Sequence, residues 1–152
     1  MNRFDLVRWL SLALAVCALG CSKGSDKWTE DRPQVYPAGG VVQHNGAPLE
    51  GATVVFRSET EQKAAYGTTD AEGKFKLTTF DDGDGAVAGK HQVRITKIET
   101  KEAPPAADPE GPVMPPEEIS LLPAKYGDFK SSGLTAEVVA DGENQFEFKL
   151  QD

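Results

Sequence analysis

From residue 40 onward, short runs of alternating apolar and polar residues recur between turn signals, with no amphipathic helix of useful length among them. Alternation at period two sends successive side chains to opposite faces of an extended strand, so such a chain folds as sheets with one face buried. In one run Ala52, Val54 and Phe56 share a face, and Thr53, Val55 and Arg57 share the other. Phe75 and Leu77 point in while Lys74, Lys76 and Thr78 point out; Val93 and Ile95 alternate with Gln92, Arg94 and Thr96. Leu134, Ala136 and Val138 alternate with Thr135 and Glu137, and Phe146, Phe148 and Leu150 close the pattern against Gln145, Glu147 and Lys149. Residues 40–43 and 64–69 are further candidate strands. Asn45-Gly46 between two such runs is a hairpin signal, because both residues tolerate positive φ. Asp70-Ala71-Glu72-Gly73 suits a type I turn, and Asp141-Gly142 and the loop Asp81-Asp82-Gly83-Asp84-Gly85 supply others. The expectation is an all-β domain of about seven strands, an antiparallel two-sheet sandwich.

What precedes the pattern is of a different kind. Residues 1–8 carry Arg3 and Arg8, and residues 9–19 are eleven nearly all apolar residues, too few to span a bilayer but suited to a signal-peptide helix. Ala18-Leu19-Gly20-Cys21-Ser22 follows, with small residues before the cut and a thiol immediately after it. It resembles a bacterial lipobox, in which Cys21 takes the diacylglyceryl group and cleavage falls between Gly20 and Cys21; Ala18 stands where Leu is commoner. Cys17 is the competing position, but the branched Val16 before it disfavours cleavage there. The organisation expected is a signal peptide at 1–20, a polar tether with acylated Cys21 at 21–34, and the domain at 35–152. Trp28 lies in the tether. With Cys21 acylated no free thiol remains, so no disulfide framework is expected. Two or three acyl chains anchor stably where one does not. By resemblance to lipoprotein sorting, Ser22 after the Cys points to the outer membrane.

Residues 99–118 interrupt the strand rhythm with Pro104, Pro105, Pro109, Pro112, Pro115 and Pro116 among Ala and acidic residues. Proline removes ladder donors, so this stretch is expected to be a partly polyproline insertion without a ladder. The formal charge is −8, and loss of residues 1–20 takes it to −9. A chain this acidic, with no basic cluster, is not built to displace counterions from nucleic acid.

Two stretches, Gly46-Ala47-Pro48-Leu49-Glu50-Gly51-Ala52-Thr53-Val54-Val55-Phe56 and Thr69-Asp70-Ala71-Glu72-Gly73-Lys74-Phe75, resemble the carboxypeptidase regulatory-like domain. Gly83-Asp84-Gly85-Ala86-Val87-Ala88-Gly89-Lys90-His91, Leu121-Leu122-Pro123-Ala124-Lys125-Tyr126 and Ser132-Gly133-Leu134-Thr135-Ala136-Glu137-Val138 look like motifs of a family of small bacterial lipoproteins carrying that domain. The resemblance covers residues 36–150. It implies a transthyretin-like sandwich, of the prealbumin-like, immunoglobulin-like kind, and an accessory rather than a catalytic role.

No catalytic constellation stands out in the chain. His44 and His91 are the only histidines, and neither has ligands at zinc spacing. No Gly-x-Ser-x-Gly elbow or phosphate-cradling loop is present. A purine-pathway hydrolase on a related sandwich ends in Tyr-Arg-Gly-Ser; this chain ends Phe148-Lys149-Leu150-Gln151-Asp152. Asp81, Asp82 and Asp84 are the one candidate set for a metal, calcium, although they lack the spacing and bidentate Glu of an EF-hand. Otherwise no metal and no cofactor is expected. The expected function is a non-catalytic, lipid-anchored binding or scaffolding module, with the membrane, envelope proteins or glycans as partners. The alternative is a carbohydrate- or cell-wall-binding module. Against it, Tyr36, Tyr66 and Tyr126 do not cluster in sequence.

Overall fold

Asn45 and Gly46 sit at φ 51° and 83°, the doubly positive pair a two-residue hairpin needs. They join β2 (Ala38–His44) to β3 (Ala47–Pro48), with His44 opposite Ala47. The computed structural model of the chain describes residues 32–101 and 116–152, which are all-β apart from one turn of 3-10 helix at Ala124–Gly127. A compact unit runs from Pro33 to Asp152.

Two four-stranded sheets form the sandwich. In the first, β4 (Thr53–Ser58) and β8 (Gly89–Thr96) are central, flanked by β5 (Ala64–Thr68) and β11 (Leu134–Val138), and every pairing is antiparallel. In the second, β2 is central. β12 (Asn144–Leu150) runs along one side of it, and β6 (Lys74–Lys76) and β3 share the other. Two short pairs complete the described strands: β1 (Val35–Tyr36) with β7 (Ala86–Val87), and β9 (Ile98–Lys101) with β10 (Glu117–Ser120).

The inward faces are those the alternation predicts. Val54 and Phe56, Val93 and Ile95, and Leu77 are fully buried, with Val138, Leu150, Phe75 and Phe148 nearly so. Phe56 of the first sheet centres the packing: its ring lies 5.3 Å from Phe146, 5.9 Å from Phe148 and 6.3 Å from Phe75 of the second. Tilted and edge-on rings at these separations add to the area they remove from water.

Three expectations are corrected. The sandwich is not wholly antiparallel, because β12 lies parallel to β2. A parallel neighbour needs a long crossover, and here the crossover is the rest of the domain, since β2 and β12 are its early and last long strands. The described residues hold twelve strands rather than about seven, because several short pairs are too brief to leave a periodic trace. The insertion at 99–118 does carry a ladder at its ends, where Lys101 pairs Glu117 and Glu99 pairs Ile119. Its prolines fall at 104–116, leaving the flanking strands their donors; residues 102–115 lie outside the described ones.

The β2–β12 approach depends on Gly40. A Cβ built there would overlap the carbonyl oxygen of Phe146. Gly40→Ala is therefore expected to destabilise the domain by about 1–3 kcal/mol, read as a lowered midpoint in thermal circular dichroism. An unchanged midpoint would mean that β12 does not pack against β2 in this register.

Candidate functional site

The outward residues of β5, β4 and β8 form a platform. Tyr66, Val55 and Arg94 lie in one cross-strand row, and Ala64, Arg57, Gln92 and Thr135 in the next. Neighbours in such rows share a face. Tyr66 is 57% exposed. Arg57 donates from Nη2 to Gln92 Oε1 at 2.6 Å. Phe129, from the segment after the 3-10 turn, brings its ring under both guanidiniums, 4.1 Å from that of Arg57 and 5.3 Å from that of Arg94.

That segment is held firmly. Ser132 Oγ donates to the Val93 carbonyl at 2.6 Å, and Ser131 Oγ to that of Lys125 at 2.8 Å. Asp128 accepts from the backbone N–H groups of Lys130 and Ser131, which hold its carboxyl below the usual range. Tyr126, 7% exposed, donates to the Gln151 carbonyl and accepts from the Gln151 N–H. Phe129 is thus a fixed floor for two cations.

Neither guanidinium has an acidic partner among the described residues. The ion pairs among the described residues are His44–Asp152 and Lys149–Glu147. Arg94 Nε is buried with no hydrogen-bond partner. Beside Arg57 a cleft of about 550 Å³ opens between Ser58, Glu59, Gln62 and Gln92. Two guanidiniums without an acidic partner among the described residues stand on this face in a chain of charge −8. Chemically the arrangement suits holding an anion, since the planar guanidinium fork matches an oxyanion edge.

The residues singled out from sequence fall elsewhere. Gly20, Cys21 and Trp28 lie outside the described residues. Asp81, Asp82 and Asp84 do not converge: Asp84 Oδ1 accepts from Thr79 N at 2.7 Å, and Oδ2 from the N–H groups of Phe80 and Asp81 at 2.9 Å each. Partial burial pushes the Asp84 carboxyl up, yet these backbone donors together bring it below its usual value. Its role is to close the loop. Among the described residues no three His, Cys, Asp or Glu are grouped to hold a metal.

His44 pairs with Asp152 at 3.0 Å, and Asn45 donates to the other Asp152 oxygen at 2.7 Å. His91 is 1% exposed against Phe56, and its Nδ1–H donates to the Gly89 carbonyl at 2.9 Å. Burial holds its pKa below 6.5, opposed by that carbonyl and by Glu59. Of the three tyrosines only Tyr66 is exposed; Tyr126 is buried and Tyr36 packs partly against the core. Sequence reasoning placed Arg57 and Arg94 on outward faces but missed Phe129, whose loop carries no periodic signal.

No protein-family model matches the chain, and no curated protein matches it. Among solved structures it is similar to a 9R-lipoxygenase from Cyanothece PCC8801, at 14% identity over 97% of this chain and with a TM-score of 0.35. The match spans 20% of the lipoxygenase, and a likeness this loose carries no argument about activity.

Two predictions follow from these side chains. Asp84→Ala should cost about 1.5–3 kcal/mol, because charge-assisted backbone hydrogen bonds are lost, while added calcium should leave the melting temperature of the native chain unchanged. A calcium-dependent rise would restore the metal reading. For His91, the unfolded chain takes up a proton below about pH 6.5 that the buried ring resists. Stability present above that pH should therefore decline as pH falls through 6.5, and the decline should flatten in His91→Gln when melting is followed from pH 7.5 to 5.5.

Proposed function

We propose that this chain is a lipid-anchored, extracytoplasmic, non-catalytic binding module of the cell envelope, built on a transthyretin-like sandwich. The observation that carries the reading is Cys21, placed directly after Gly20 and an eleven-residue apolar run, ahead of a polar stretch and the compact unit Pro33–Asp152. Such an order delivers a folded domain to a membrane surface on a tether. No helix of the described residues is long and apolar enough to cross a membrane. In this reading lipid on Cys21 is the attachment. The outer membrane is the proposed location. The carboxypeptidase regulatory-like resemblance of residues 36–150 supports an accessory role, and the platform around Arg57, Arg94 and Tyr66 supplies a surface to bind with.

A glycan- or wall-binding role is the second reading. It is favoured by Tyr66, which stands exposed on the same sheet face as the two arginines.

The test is to compare the full chain with Cys21→Ser in cells by membrane fractionation and crosslinking. We expect the native chain in the membrane fraction, labelled by radioactive fatty acid and crosslinked to a recurrent set of envelope components. Cys21→Ser should be unlabelled and should lose that set. Equal solubility and identical captures from both versions would remove the anchor.

A further inference from the structure

We infer that the outward face of β5, β4 and β8 binds an acidic saccharide, its carboxylate held by Arg94 and Arg57 and a sugar ring stacked on Tyr66. The inference rests on the binding-module reading of the domain and is independent of the lipid anchor.

Charge leads the argument. Arg57 and Arg94 share one aromatic floor, Phe129, and neither has an acidic partner among the described residues. Packing alone accounts poorly for this, because a buried guanidinium nitrogen without a partner, as at Arg94 Nε, is costly. A bound oxyanion would supply the countercharge that the two guanidiniums lack among the described residues. Gln92 already fixes Arg57 through a 2.6 Å hydrogen bond, so one wall of the site is preset.

The surroundings limit the anion to a short one. One row beyond Gln92 lie Glu59, Lys90 and Glu137: Lys90 pairs Glu137 across β8 and β11, and Glu59 N–H donates to the Lys90 carbonyl. A long polyanion, phosphodiester or polyuronate, would meet those carboxylates as well as a net charge of −8. A short oligosaccharide spanning Tyr66 and Arg94, two rows from Lys90 and Glu137, would not.

Shape supplies the saccharide. Tyr66 is exposed and two strands away from Arg94 in the same row, roughly 10 Å at the backbone, within the reach of a disaccharide. Half-buried Val55 lies between them, and Thr53, Thr68, Thr96 and Thr135 stand outward on the same face. Hydroxyls both donate and accept, as sugar hydroxyls require.

The experiment uses the full chain in detergent, titrated with oligogalacturonate, with neutral cello-oligosaccharide and with inorganic phosphate, followed by calorimetry and by the arginine Nε–H resonances. We expect saturable binding of oligogalacturonate with a shift of the Arg94 Nε–H signal, and much weaker binding of the neutral oligomer. Arg94→Gln and Tyr66→Ala should each weaken binding about tenfold or more; Tyr66→Ala, at an exposed position, should keep the native melting temperature. Arg94→Lys, which keeps charge without the fork, should restore only part of the affinity.

Absence of binding by oligogalacturonate, or binding indifferent to Arg94→Gln and Tyr66→Ala, would overturn the inference. So would saturation by inorganic phosphate at equal affinity, which would make the face a simple anion site. Should crosslinking of the native chain still capture an envelope partner, the binding-module reading would stand while this one fell.

Discussion

Seven residues of β12 lie in parallel register on β2, from Asn144 against Ala38 to Leu150 against His44. Much of the rest depends on this seam, because it joins the last strand of the domain to an early one and so encloses everything between them. Gly40 makes the approach possible by leaving room for the Phe146 carbonyl. Asn144 secures the entry: its side chain accepts from Val139 N–H and donates to the carbonyls of Val139 and Pro37, tying the preceding turn and the start of β2 to one amide. At the far end Asn45 N–H donates to the Leu150 carbonyl, and Asp152 is held by His44 and Asn45. Contacts this distant in sequence are entropically expensive to close, and the polar clasps at both ends offset part of that cost.

With β12 in place, Phe146 and Phe148 are delivered to Phe56, and the two sheets acquire a common aromatic centre. That centre fixes β4 with Phe56 inward, which obliges Arg57 and Val55 to face outward. The same alternation in β8 buries His91, Val93 and Ile95 and turns Gln92 and Arg94 out. The platform proposed for binding is therefore the reverse side of the core. Its cations are held in place by the strands that make the sandwich, while Phe129 is brought to them by a loop anchored through Ser132 and Tyr126. A site on sheet strands loses little order when a ligand arrives, which favours binding over conformational switching.

The features that carry local polarity serve structure in several places where chemistry was conceivable. Asp84 spends both carboxylate oxygens on backbone donors, so the acidic loop is a closed turn. Asp70 closes its own turn through one oxygen, Oδ1, which accepts from both Glu72 and Lys74 N–H. His91 is buried against Phe56 with its Nδ1–H spent on a carbonyl. What distinguishes Arg57 and Arg94 is that no acidic partner among the described residues accounts for them.

Sequence alone determined which side chains face the core. The period-two pattern at Val54 and Phe56, Val93 and Ile95, and Phe148 and Leu150 is a local property of extended backbone, and so are Asn45-Gly46 and Asp70-Ala71-Glu72-Gly73 as turns. Because Arg57 and Arg94 sit in outward slots of such runs, half of the candidate site was legible too. Tertiary structure decided the rest. Alternation does not encode strand direction or partner, so the parallel seating of β12 on β2 left no mark in the pattern beyond a glycine at 40. Nor does it report that β9 and β10 pair across a proline-rich stretch, since pairing depends on donors in the flanks. The meeting of Phe129 with two arginines from different strands joins a loop to a sheet face, and only the folded chain brings such distant residues within contact.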